Sequence, residues 1–411
     1  MKNKIFQYMA MGVAVVGMTA CNDFLDRVPQ SDITPGSYFT SEADLNAYVI
    51  NQYTFTSISP GSYGISVFGY DNGTDNQAAM SASSFWQPGV WQVPQNVSSS
   101  WTDAWSFTRI RQINYFFDQV LPKYESKAIT GNEANIRHYI GEAYLIRAYD
   151  YYNKLVTIGD CPIFEVALPD DQEILTAASK REPRHKVARF ILGQIDKALE
   201  YLMETPPGGK NRISRDAAYL FRSRVALFEG TWLKNHKGTA FVPGGPGWPG
   251  NSADLDGFNI DTEINYFLTE CMASAKVIGD KLVNNLAENT DTKEGFDVNL
   301  NVLNPYYAMF CDPDMEKYDE VLMWRAYNEE QGVTHNIQMQ LIRNGGGSGW
   351  TRGLVNSFLM RNGLPIYADG SGYDPEWEKD GVKATLQNRD SRIQQFTKKD
   401  GDVEFYTFAG E

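Results

Sequence analysis

Apolar side chains recur at helical spacing through most of the first 284 residues. The clearest run is Ile136, Ile140, Ala143, Tyr144, Ala148, Tyr151 and Leu155, which follow one another at intervals of one, three and four and so share one helix face. Thr130 followed by Glu133 predicts a capping box at its start. Gly159, with Pro162 just beyond, predicts its stop. Arg147, Asp150 and Lys154 stand three and four apart, a spacing that predicts weak ion pairs on an outer face. Similar patterns predict helices over Ser41–Ser57, Ser100–Leu121, Asn132–Val156, Glu182–Met203, Arg215–Lys234 and Asp261–Val283. The first opens at Ser41-Glu-Ala-Asp and aligns Leu45, Tyr48, Val49, Gln52 and Tyr53 on one stripe. Glu320–Asn328 alternates Val321, Met323, Arg325 and Tyr327 against Leu322, Trp324 and Ala326, which reads as a strand covered on both faces.

One helix is repeated. Ala143-Tyr-Leu-Ile-Arg-Ala148 returns 75 residues later as Ala218-Tyr-Leu-Phe-Arg-Ser223. An alanine, an aromatic, a leucine and an arginine in fixed order mark a helical solenoid, and the offset is roughly twice the ~34-residue tetratricopeptide period. Two unrelated bundle helices with similar cores are the alternative. No long linker interrupts the pattern, so the helices belong to one layer with long excursions between them.

Those excursions are unusual in composition. From Ser57 to Ser100 the only charged side chains are Asp71 and Asp75, while Tyr63, Phe68, Tyr70, Phe85, Trp86 and Trp91 stand among serines, glycines, asparagines and glutamines. A long aperiodic segment is functional or disordered, and this many aromatics argues against disorder. Flat aromatic faces beside neutral polar groups suit a neutral polyhydroxylated ligand; packing of the loop on the helices is the plainer use of any single ring. Gly238–Asn251 is rich in Gly and Pro and presents Trp248, and the glycine run Asn344–Gly349 precedes Trp350. That run is no phosphate loop, because no Gly-Lys-Ser/Thr closes it. Ligand contacts come from loops on a rigid scaffold, and exposed aromatics are the natural anchors. The candidate ligand-binding set is therefore Tyr70, Trp86, Trp91 and Trp350, with Asp71 and Asn72 as hydrogen-bond partners.

The N-terminus carries Lys2 and Lys4, an apolar run Met9–Met18 and small residues leading to Cys21. The run is well short of the ~20 residues that span a bilayer, so it reads as a secretion signal. A cysteine after a small residue reads as a lipoprotein cleavage point, with acyl chains on Cys21 each held at about 0.8 kcal/mol per buried methylene. An ordinary secretory signal with a chance cysteine is the alternative. Loss of Lys2 and Lys4 takes the formal charge from −14 to −16, which argues against nucleic acid and anionic lipid as ligands, since both need a basic face. Cys161, Cys271 and Cys311 form no disulfide framework or zinc spacing and are read as buried thiols.

Catalytic chemistry finds little support. His138, His185, His236 and His335 lie in no H-E-x-x-H, and no Gly-x-Ser-x-Gly occurs. A glycosidase needs only two carboxylates about 5–10 Å apart, so a hydrolase stays open as a minor alternative. Asp71-Asn-Gly-Thr-Asp75-Asn has the oxygen-rich look of a calcium turn but lacks the full loop spacing and its distal glutamate; a polar Asn-Gly turn is the favoured reading, and no cofactor is expected.

Six landmarks in order carry a family resemblance: Cys21-Asn-Asp-Phe-Leu-Asp with Pro29, Gly141-Glu-Ala-Tyr-Leu-Ile-Arg-Ala148, Gly159-Asp-Cys-Pro162, Arg212-Ile-Ser-Arg-Asp-Ala-Ala218, Thr351-Arg-Gly-Leu-Val-Asn-Ser-Phe358 with Asn362-Gly363, and Arg389-Asp-Ser-Arg392. Together they resemble the SusD/RagB outer-membrane lipoproteins of Bacteroidota. The resemblance implies a mainly α fold, with a tetratricopeptide-like scaffold, long irregular loops and a few short strands. It implies a signal peptide at 1–20, a tether at 21–40 and one SusD-like domain at 41–411, with helical repeats at about 41–57 and 100–284 and a ligand-binding part at about 58–99 and 285–411. It further implies a surface-exposed, lipid-anchored protein that captures an oligosaccharide or polysaccharide, does no chemistry, and serves a SusC-like TonB-dependent transporter. A peptide-binding member or a helical-repeat adaptor is the alternative. Arg352 and Ser391 replace frequent prolines and Asn362 a frequent aspartate. The chain stops at Glu411, before the late Ala-Glu-Ala helix of the family, as a short or truncated form would.

Overall fold

Asx and serine side chains set most of the helix starts, because each can accept from the N–H groups that a first turn leaves without partners. A computed structural model describes residues 38–53, 55, 69, 71–81, 104–290, 296–297, 302–310, 312–335, 337 and 347–397. Helix α1 (Glu42–Ile50) opens on a capping box in which Ser41 and Asp44 serve each other's backbone N–H. After β1 (Gln77–Ala79) come α2 (Thr108–Glu125), α3 (Glu133–Thr157), the short α4 (Gln172–Ala178), α5 (Arg184–Tyr201), α6 (Arg215–Asn235) and α7 (Ile260–Leu282). Ser214 caps α6 and Asn259 caps α7. Small elements follow: β2 (Phe296–Asp297), β3 (Val302–Leu303), α8 (Pro305–Ala308), β4 (Ser348–Trp350), α9 (Arg352–Ser357), α10 (Val382–Thr385) and α11 (Ser391–Phe396).

The long helices stack in chain order. α2 packs on α3, α3 on α5, α5 on α6 and α6 on α7, while α1 lies against α3. Gly230 lets α6 and α7 approach closely: a Cβ there would stand 2.9 Å from a Leu268 methyl and 3.2 Å from Cβ of Phe267. The core runs continuously from Phe39, Leu45 and Phe116 through Ile140 and Ile191 to Phe267. Fully burying an aliphatic or phenyl side chain of this kind contributes about 1.5–3 kcal/mol.

The repeat is structural. Ala143 and Ala218 are both fully buried, and the arginine four residues on from each reaches the helices on either side. Arg147 donates from Nη1 to Oδ1 of Asn114 on α2 at 2.7 Å and from Nε to Oε1 of Gln194 on α5 at 3.1 Å. Arg222 donates from Nε to Oδ1 of Asp196 on α5 at 2.8 Å and from Nη1 to Oγ of Ser274 on α7 at 2.9 Å, and pairs with Glu270 at 2.7 Å. This mainly α, tetratricopeptide-like stack sets aside the alternative of unrelated bundle helices.

Four local expectations are corrected. Asn132, not Thr130, caps α3, through Oδ1 to the N–H groups of Ala134 and Asn135. Thr130 is committed elsewhere, donating its N–H and hydroxyl to the carbonyl of Thr40 and so pinning the start of α1. Arg147 and Lys154 lie on no outer face, because α3 is surrounded: both are buried, and Lys154 gives its ammonium to the carbonyls of Ala104 at 3.2 Å and Ser106 at 2.5 Å. α1 ends at Ile50 rather than near Ser57, and α2 begins at Thr108 rather than Ser100. Glu320–Asn328 forms no strand. Trp324 donates to the carbonyl of Lys210 and Ala326 to Oδ1 of Asn211, each at 3.0 Å, so the segment lies along a short turn of the scaffold that offers no ladder.

Candidate functional site

Two distant loops meet in one antiparallel pair. β1 and β4 align Gln77 with Trp350, Ala78 with Gly349 and Ala79 with Ser348. Just before β1, the Asp71–Asn76 segment folds into a polar turn. The carbonyl of Asp71 accepts the N–H of Thr74 at 3.0 Å and its hydroxyl at 2.7 Å. Gly73 sits at φ +85° and donates to the carbonyl of Gln77 at 2.9 Å, a backbone shape that glycine adopts without strain.

Side chains then tie the turn to the far loop. Ser348 donates its hydroxyl to Oδ1 of Asn72 at 2.8 Å. Thr351 donates its N–H to the carbonyl of Asn76 at 3.0 Å and its hydroxyl to that of Asp75, and it also accepts from Leu354 as the cap of α9. The Trp350 indole lies nearly parallel to the ring of Phe358, 6.0 Å between centroids and 8° between planes. Trp350 keeps 38 % of its surface exposed, and Asp71 beside the pair is exposed too. Arg389, fully buried, holds the segment behind it by donating from Nη2 to the carbonyls of Val355 at 2.5 Å and Phe358 at 2.7 Å.

The fold therefore brings together Asp71, Asn72 and Trp350. Tyr70, Trp86, Trp91 and the lipidation candidate Cys21 lie outside the described residues. The structure gives Asn72 a partly structural task, since its Oδ1 is occupied by Ser348. Sequence reasoning missed Ser348, Phe358 and the pairing of Gln77–Ala79; the serine inside the glycine run was the available signal. Trp248 is no presented ring: it donates from Nε1 to Oδ2 of Asp160 at 2.8 Å, and Oδ1 of the same carboxylate caps α5 at the N–H of Arg184, also at 2.8 Å. The tyrosines of α3 are packing. Tyr144 stacks on Phe117 and Tyr201, and Tyr152 meets Phe221 and Phe228 edge-on.

Buried charges of the scaffold are likewise structural. Glu142 is fully buried and accepts from Tyr53 at 2.6 Å, from Nε of Arg212 at 2.8 Å and from Nη2 of Arg212. Burial alone pushes this carboxyl up, but the close approach of the His138 imidazole, the hydrogen bonds from Arg212 and the charge of Arg212 outweigh it and hold it below the ordinary value. Met203 donates to Nδ1 of His138, which leaves Nε2 as the hydrogen-bearing nitrogen that faces Glu142 at 3.2 Å. Among the described residues no three His, Cys, Asp or Glu side chains converge to hold a metal ion. No helix among them is long and apolar enough to cross a membrane.

Comparison with known proteins places this architecture. A family model described as SusD-like, "Starch-binding associating with outer membrane", matches residues 23–227. The chain belongs to the SusD-like family. A SusD-like protein of Formosa agariphila is 23 % identical over 263 residues, covering 60 % of this chain and 47 % of the relative. Two solved Bacteroides fragilis structures share the fold: a SusD-like protein at 18 % identity, TM-score 0.57, covering 89 % of this chain and 62 % of that one, and a SusD-like carbohydrate binding protein at 13 % identity, TM-score 0.52, covering 86 % and 59 %. The chain spans about half the length of the curated relative it matches. In this SusD-like chain the family match takes in α1 to α5, the Asp71 turn and part of α6, whereas Trp350 lies beyond it.

Proposed function

We propose that this SusD-like chain is a cell-surface receptor that captures a neutral oligosaccharide and passes it, unaltered, to a SusC-like TonB-dependent transporter, with acyl chains on Cys21 anchoring it to the outer membrane. The observation that carries the reading is the exposed Trp350, backed by Phe358 and joined through β1 and β4 to the Asp71–Asn72 turn. An indole face takes the C–H side of a pyranose ring, and Asp71 with the amide hydrogens of Asn72 can meet its hydroxyls. The Ser57–Ser100 segment carries only two charged side chains, Asp71 and Asp75, a composition that favours sugar over peptide. The similar fold of a B. fragilis carbohydrate binding protein supports the same ligand class.

Titration calorimetry with neutral α- and β-glucan oligosaccharides beside a panel of short peptides tests this. Affinity that rises with sugar length, with peptides silent, is the expected result. Peptide binding without sugar binding, or shortened products after incubation with glycan, would overturn it.

A further inference from the structure

A second polar recess lies where α2 begins and α3 ends, sharing no residue with the β1–β4 surface. It encloses about 460 Å³, within the range of small-molecule sites. Its walls carry Thr108, Arg109 and Gln112 from the first turns of α2, and Asp150, Asn153 and Lys154 from the last turns of α3. Lys154 is already committed to two carbonyls and lies over the Phe107 ring at 4.4 Å, so it shapes the wall.

Asp150 is the unexplained group. Its side chain is only 15 % exposed, yet its carboxylate receives no hydrogen bond, and its nearest cation, Nη1 of Arg109, stands 3.9 Å away. A partly exposed carboxylate with no donor on it among the described residues keeps acceptor capacity that a ligand hydroxyl can use. Burial pushes its pKa up, against the opposing charges of Lys154 and Arg109. Facing it, α2 starts without a side-chain cap and with no acidic residue in its first turn, so its N–H groups and Arg109 offer donors. An anion in the recess would meet Asp150, and a cation would meet Arg109. A neutral group that both donates and accepts suits both walls. A pair of neighbouring hydroxyls does this, and the amides of Gln112 and Asn153 extend the same pattern.

We infer that this recess is a second sugar site, taking one or two sugar units by their hydroxyls between Asp150 and Arg109. The inference rests on the reading of the chain as a glycan binder and adds a short-ligand subsite to it.

The test is calorimetry with maltose, cellobiose and laminaribiose on the Trp350→Ala chain, which removes the indole of the other site. Disaccharide binding should persist there. It should fall at least tenfold on adding Asp150→Ala, and likewise on adding Gln112→Ala with Asn153→Ala. Asp150 holds no hydrogen bond of the scaffold, so its replacement should leave the melting temperature unchanged or raised. Gln112 and Asn153 are exposed and keep the test independent of folding. Sugar binding that recess variants leave unchanged overturns the second site alone. Loss of all sugar binding in Trp350→Ala does the same. Glycylglycine binding in place of the disaccharides overturns the ligand class. An unchanged chain that binds no sugar of any length instead overturns the glycan reading itself.

Discussion

Ser348 donates its hydroxyl to Oδ1 of Asn72 at 2.8 Å, joining segments 276 residues apart. That bond fixes which way the Asn72 amide points and sets the Asp71 turn beside Trp350. A single neutral hydrogen bond is worth about 0.5–1.5 kcal/mol. Ser348→Ala should therefore weaken oligosaccharide binding by about two- to tenfold, with the melting temperature little changed. Unaltered affinity would mean that Asn72 does not face the ligand.

Glu142 and Arg212 form a buried pair, with the side chains 0 % and 9 % exposed. Removing one partner of such a pair leaves an uncompensated charge and costs about 3–5 kcal/mol. Glu142→Ala and Arg212→Ala should each lower stability by that order in urea unfolding. Glu142→Leu combined with Arg212→Met should cost less than the two single losses together. Additive losses would show that the pairing is energetically minor.

The two repeat arginines should differ in cost. Arg147 is buried among Asn114, Gln194 and the Phe117 ring, so Arg147→Ala strands polar groups away from water and should cost about 2–4 kcal/mol. Arg222 pairs with Asp196 and Glu270, which are 52 % and 28 % exposed, so each of those contacts adds about 0–1 kcal/mol. Arg222→Ala should therefore be the milder change in the same unfolding assay. The reverse order would contradict the packing described for α3.

Stability should fall on mild acidification. Burial against Phe258 pushes His185 from 6.5 down to about 4. A depressed imidazole means that the unfolded chain binds a proton the folded chain refuses. The His185 contribution is therefore fully favourable above about 6.5 and is lost as the pH drops toward about 4. The shift corresponds to about 3 kcal/mol at most. Glu142, held low, adds stability that is likewise lost in acid; Glu229, raised chiefly by burial, is favoured by protonation and works the opposite way. His185→Leu should flatten the difference in urea-unfolding stability between pH 7.5 and 4.5. A slope unchanged by the substitution would place the acid sensitivity elsewhere.

Much of the scaffold was legible because its signals are local. The stripe from Ile136 to Leu155, the Ser41 cap and the returning Ala-Tyr-Leu-x-Arg motif are each set by residues within one or two turns, and α3, α5, α6 and α7 fall within two residues of expectation. Partners distant in sequence were not legible. Spacing alone assigns Lys154 to a surface ion pair, because its carbonyl acceptors, Ala104 and Ser106, lie 50 and 48 residues away. The Gly- and Pro-rich loop presents Trp248 as a free ring in sequence because its partner Asp160 stands 88 residues away. Glu320 to Asn328 alternates like a strand, yet its Trp324 and Ala326 N–H groups find Lys210 and Asn211, partners more than a hundred residues away in the chain. At the candidate site, composition pointed to Asp71, Asn72 and Trp350, but only the β1–β4 pairing revealed that they meet.

The most direct measurement is the affinity of the Trp350→Ala chain for a long neutral oligosaccharide, set beside its melting temperature. The account predicts at least a tenfold loss of affinity with the melting temperature within about 1 °C of the unchanged chain, a difference of no more than about 1 kcal/mol for a domain of this size. Unchanged affinity would contradict it. So would a melting temperature lower by many degrees, which would make the indole part of the core.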